Sequence, residues 1–212
     1  MPPVKKRVLL VEGPDDEHVL KHLCGNNGVP HLDKIAACGG VDCLLESLSV
    51  RLKASEFGDI VGLIVDADID IASRWQAVRG RLMGAGYESV PGQPFDDGTI
   101  LDPPTDKLLP RLGIWIMPDN RSDGILEDFL RFLVPARGAK LLGHVESCVA
   151  AIPDGQRLFG PLAEPKAIVH TWLAWQKEPG KPLGTAITAR YLDPEVPEVD
   201  TLVNWLKRLY LF

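Results

Sequence analysis

Residues 60–70, IVGLIVDADID, constrain the fold more than any other stretch: an almost unbroken apolar run leads straight into three alternating aspartates. A strand that is apolar at consecutive positions is buried on both faces, as in a parallel sheet covered by helices on each side. The same pattern recurs in VLLV at residues 8–11, which ends on Glu12, and in LGIWIMPDN from residue 112. Between these runs the spacing becomes helical. PDDEHVLKHLCGNNG places Val19, Leu20 and Leu23 on one face, and VDCLLESLSVRLKASEFG does so with Leu44, Leu45, Leu48 and Leu52. HLDKIAACGG is a short predicted strand ending in two glycines, and IASRWQAVRGRLMGAG is a third predicted helix. This alternation predicts an α/β fold with a mainly parallel sheet flanked by helices.

Residues 91–111 are rich in turn formers and are expected to form a loop or an antiparallel excursion. SDGILEDFLRFLV then opens a helix whose core face is Leu126, Phe129, Leu130 and Leu133. From about residue 135 the pattern is helical throughout, in AKLLGHVESCVAAI, PKAIVHTWLAWQ and DTLVNWLKRLYLF. Trp172, Trp175 and Trp205 fall at apolar helical positions and are expected to anchor a core. The expected division is an α/β domain over residues 1–135 with a helical C-terminal extension, 136–212, packed on it.

No apolar run approaches the roughly 20 residues needed to span a bilayer. The apolar run after MPPVKKR is too short for a signal peptide, so a cytoplasmic protein without membrane contact is expected. Cys24, Cys38, Cys43 and Cys148 show no CxxC spacing and are expected to be reduced thiols. The net charge of −6 argues against a broad basic surface for nucleic acid. It leaves room for a local basic groove, or for an acidic site whose sign a divalent metal reverses. Lys5, Lys6 and Arg7 precede the first strand, at the edge opposite the acids; Arg74, Arg79 and Arg81 are expected on a solvated helix face.

The acids form the candidate site. Glu12 ends the first strand, Asp66, Asp68 and Asp70 end the central one, and Glu127 and Asp128 follow the later strand. In a parallel sheet these strand ends share one edge, where distant residues converge. Residues i and i+2 of an extended segment point the same way, so Asp66 and Asp68 are expected to face one ion. Carboxylates brought together must take up protons or be held by a cation. An oxygen-only donor set favours Mg²⁺ or Mn²⁺. For single members humbler roles stay open: Asp70 as a helix cap, Glu127 and Asp128 as acids compensating a helix dipole, Asp119 and Asp123 as turn residues.

VLLVEGPDDEHVL followed by LIVDADID, a strand and two helices apart, resembles the Toprim domain, a Rossmann-like fold found in topoisomerases, bacterial-type primases and the OLD (overcoming lysogenization defect) nucleases. That domain is marked by a glutamate and glycine after its first strand, here Glu12-Gly13, and a DxD after a later one, here Asp66-Ala67-Asp68. In detail the chain is most similar to the Toprim proteins grouped as domain of unknown function 3226, related to the OLD nucleases; HTWLAWQKEPGKPLGTAITARYLD resembles the tail of that group. The resemblance implies metal ligands at Glu12, Asp16, Asp66, Asp68 and Glu127; Asp70, from its place after the strand, is an outer candidate. It also implies an assisting lysine, for which Lys181 in PGKPLG is the candidate, with a solvated loop charge as its alternative role.

The implied activity is two-metal cleavage of DNA or RNA phosphodiesters, with Glu12, Asp66, Asp68 and Lys181 as catalytic residues and Mg²⁺ or Mn²⁺ as cofactor. Glu12 as general acid/base is an alternative role. A topoisomerase reaction would need a tyrosine nucleophile in a strand-passing architecture, and Tyr87, Tyr191 and Tyr210 stand in no telling context. No Walker-type phosphate loop is present, so an ATPase would be a separate partner chain. The alternative function is a non-catalytic module that binds metal and nucleic acid, or a partner ATPase. A third reading, a phosphatase-like hydrolase with Asp66 as nucleophile, fits the Glu12 motif poorly.

Overall fold

A computed structural model describes residues 5–55 and 58–211 of the chain. The elements run β1 (Arg7–Val11), α1 (Pro14–Asn26), β2 (Lys34–Ala37), α2 (Val41–Lys53), β3 (Ile60–Asp66), α3 (Ile71–Ala85), β4 (Thr99–Leu101) and β5 (Arg111–Met117). The helices α4 (Leu126–Phe132), α5 (Ala139–Ala150), α6 (Glu164–Ala174), α7 (Leu183–Thr188) and α8 (Pro197–Tyr210) complete the chain. The second predicted helix extends over Glu56 and Phe57, which lie outside the described residues. The strands form one sheet in the order β2-β1-β3-β5-β4. All pairs are parallel except β4 with β5. The Pro/Gly-rich excursion thus carries a short antiparallel edge strand.

The consecutive apolar residues of each strand serve two cores. Leu9 and Val11 of β1, with Ile64 of β3 and Trp115 of β5, pack against α1 and α4–α8. Leu10, Leu63, Val65 and Ile114 face α2 and α3 on the opposite side. Both faces are covered, as the apolar runs require. Leu126, Phe129, Leu130 and Leu133 are buried, as are Trp172 and Trp205. Trp175 corrects the expected trio of anchors: it sits at the C-cap of α6, 45% exposed, beside His144.

Two glycines position α8. Gly62 of β3 and Gly113 of β5 are register partners, and together they leave a notch in the sheet. A Cβ at Gly62 would come 2.5 Å from the Tyr210 hydroxyl, and one at Gly113 would come 2.5 Å from Leu209. The Tyr210 hydroxyl, deep in this contact, donates to the Val8 carbonyl at 2.7 Å. The four cysteines are free thiols, and among the described residues no helix is long and apolar enough to cross a membrane.

Candidate acidic site

The sheet order creates a switch point. From β1 the chain crosses to β2 on one side, and from β3 it continues towards β5 on the other. The crevice beyond the carboxyl ends of two such strands is where open α/β sheets bind ligands. Glu12 leaves β1 and Asp66 closes β3 at this crevice, so both carboxylates are fixed by rigid elements.

The acids are tied to one another through the backbone. Glu12 Oε1 accepts the Asp66 N–H at 2.8 Å, and Asp66 Oδ1 accepts the Leu126 N–H, at the start of α4, at 2.9 Å. Asp16 sits in the first turn of α1, 7% exposed, and its Oδ2 accepts the Gly13 N–H at 3.0 Å. Glu127, in the first turn of α4, is 1% exposed, and neither carboxylate oxygen has a hydrogen-bond partner. Lys166 of α6 stands 3.8 Å from it.

These carboxylates perturb one another. Burial, together with Glu12, Asp16, Glu127 and Asp68 in that order, pushes Asp66 up to about 9. Burial raises Glu12 to about 7 against the lowering effect of its backbone hydrogen bond. Burial also raises Asp16 and Glu127, with Lys166 acting in the opposite direction on both. Asp66 and Glu12 thus hold protons near neutrality chiefly because they are buried, with the neighbouring carboxylates adding to it.

Asp68 reaches the site differently from the expected i, i+2 alternation. Its backbone is left-handed, with φ 58°, a region that aspartate tolerates better than most residues. The turn is held by a paired bridge, with Asp68 N–H donating to the Gly124 carbonyl at 2.9 Å and Gly124 N–H returning to Asp68 at 2.8 Å. The side chain pairs with Arg74 of α3. Arg74 is accordingly 14% exposed and not on a solvated face. Arg79 and Arg81 likewise donate to the Val90 and Leu45 carbonyls.

The remaining candidates separate. Asp70 is the N-cap of α3, accepting from Ala72 and Ser73 at 3.0 and 3.1 Å. Asp128 accepts the Ile125 N–H and pairs with Arg131, whereas Glu127 is the buried acid of that pair and the one whose charge raises Asp66. Lys181 pairs with Glu178 at 2.8 Å in the α6–α7 connection. The lysine whose charge acts on the acids is Lys166, which no local pattern in EPKAIVH distinguishes from a solvated helix lysine. Among the described residues, no three His, Cys, Asp or Glu side chains are gathered closely enough to hold a metal ion as they stand.

A family model described as "Protein of unknown function (DUF3226)" matches residues 6–211. Neither the curated proteins nor the solved structures include a match to this chain.

Proposed function

Because this chain belongs to the DUF3226 family, whose description assigns no activity, its role must come from its site, and we propose a Toprim-fold phosphodiesterase that uses Mg²⁺ or Mn²⁺ to cleave DNA or RNA. The observation that carries this reading is Asp66, which closes the central strand at the switch point among four other carboxylates and is pushed up to about 9. The order of Glu12-Gly13 after β1 and Asp66-Ala67-Asp68 after β3 supports the Toprim assignment.

The donor chemistry fits a hard divalent cation. Glu127 offers two buried oxygens without a hydrogen-bond partner, and Asp66 is raised by burial and by the carboxylates around it. Glu12, Asp66 and Glu127 would hold the ion by drawing closer than they stand without it, with Asp16 and Asp68 beside them. Bound there, it supplies a lowered pKa for an attacking water and charge for the leaving oxyanion. As a ligand Glu12 would be ionised; its alternative role is general acid/base, for which the value of about 7 that burial gives it without the ion is suited. Lys166 offers positive charge to a phosphate at the rim. Gly13 leaves the approach beside Glu12 free of a side chain.

The Arg74–Asp68 pair favours the second reading, a non-catalytic module for metal and nucleic acid or a partner ATPase. An arginine already neutralising Asp68 takes one acid from the cation. Calorimetric titration of Mn²⁺ into wild type and Asp66→Ala, followed by cleavage assays on plasmid DNA and RNA, separates the readings. Binding lost in the variant, with turnover in the wild type, supports the enzyme. Binding without turnover supports the module, and no binding by the wild type overturns the metal site.

A further inference from the structure

Helix α1 carries His18 and His22 one turn apart, and their Nε2 atoms lie 3.3 Å from each other. The rings meet edge to face, with an interplanar angle of 84° and centroids 4.8 Å apart. Two imidazoles bound to one tetrahedral ion at about 2.0–2.1 Å hold their nitrogens about 3.3–3.4 Å apart. The other ring nitrogen of His22 is already engaged. Nδ1 lies 2.6 Å from the Thr188 hydroxyl oxygen, at the end of α7. An Nδ1–H donated to that oxygen fixes the tautomer that leaves a lone pair on Nε2, as the outer partner of a metal-bound histidine does.

Packing holds the arrangement in place. Gly184 of α7 seats so closely on α1 that a Cβ there would come 2.6 Å from both the His18 carbonyl oxygen and the His22 ring. Both rings are half-buried, so solvent and ions reach them.

We propose that His18 and His22 form a two-histidine site for a borderline divalent cation of the Zn²⁺, Ni²⁺ or Cu²⁺ class, with Thr188 orienting His22 and water completing the coordination. Imidazole donors select these ions, whereas carboxylates select Mg²⁺ and Mn²⁺, so this site is chemically distinct from the acidic one. Both ligands lie on α1, so an ion here would reach α7 only through the Thr188 hydrogen bond to His22.

The test is a competition titration of Zn²⁺ against a chromophoric chelator, using full-length protein without a polyhistidine tag, in excess Mg²⁺ at pH 7.5. One Zn²⁺ per chain is expected. Affinity should fall at least tenfold in H18Q and H22Q, fall about tenfold in T188V, and stay unchanged in D66N. T188V leaves both ligands in place and carries the test if either glutamine variant fails to fold. Absence of Zn²⁺ binding by the wild type overturns the proposal, as does affinity unchanged in T188V and both histidine variants. A loss in D66N equal to that in H22Q also overturns it, by placing the ion at the acidic site.

Discussion

The carboxylate of Glu12 and the main-chain N–H of Asp66 are hydrogen-bonded at 2.8 Å, so the acid that leaves the first strand is locked to the acid that closes the third. Shape and charge therefore separate at Glu12. Glu12→Gln keeps the acceptor and removes the charge that burial penalises, so its melting temperature in chelator should match wild type near pH 4 and exceed it above pH 7. Glu12→Ala leaves the Asp66 N–H without its acceptor and should cost about 1–3 kcal/mol. Both should abolish Mn²⁺-dependent cleavage. Thermal denaturation beside a plasmid-cleavage assay checks the pair, and full activity in Glu12→Gln would remove Glu12 from the chemistry.

Stability in chelator should fall as pH rises. Asp66 and Glu12 ionise near pH 4 in the unfolded chain but at about 9 and about 7 in the folded one. The native state then binds more protons than the unfolded state over that interval. Their contribution is complete below pH 4 and is lost upward, for Glu12 through about pH 7 and for Asp66 through about pH 9. Melting curves in EDTA from pH 5 to 9 should fall more steeply for wild type than for the Glu12→Gln/Asp66→Asn double variant. Parallel curves would contradict the crowding of these acids.

The two lysines should behave differently. Lys166→Ala removes the positive charge facing Glu127 and Asp16, and turnover should drop about 10²-fold with no weakening of Mn²⁺ affinity. Lys181 is held by Glu178 in a connection, and Lys181→Ala should leave turnover within about twofold. Single-turnover cleavage rates of both variants decide which lysine serves the site.

The glycine notch sets a third scale. A methyl at Gly113 meets Leu209 and Trp205 from α8, so Gly113→Ala should destabilise by about 1–3 kcal/mol. At about 2–4 °C per kcal/mol for a chain of this size, calorimetry would detect the shift. Gly143 of α5 has nothing within 4 Å of an added Cβ, so Gly143→Ala should be neutral or slightly stabilising.

The strands that build the site were legible because burial on two faces leaves an unmistakable apolar run at Val8–Val11 and Ile60–Val65. Glu12 and Asp66 were legible for the same reason, as charged residues directly after such runs. What local pattern could not show was whatever tertiary packing decides. Lys166 reaches Glu127 only because α6 packs near α4. Arg74 looked like surface until the left-handed turn at Asp68 aimed a carboxylate at it. Helix α7 was hidden in LGTAIT, where glycine and two threonines give weak helical propensity, and its contact with α1 sustains it. Glu127 and Asp128 are adjacent acids in one turn, and only the packing of α4 decides which is interred.

The seating of α8 against Gly62 and Gly113 also orders events during synthesis. Both glycines emerge from the ribosome long before residues 197–210, so the floor of β3 and β5 waits uncovered for its last helix. Until Trp205, Leu209 and Tyr210 arrive, the nascent chain presents an oily groove directly beneath the strand that ends in Asp66. The acids are thus made early but gain a firm backing only late, and products of premature termination should be targets for chaperones and proteases.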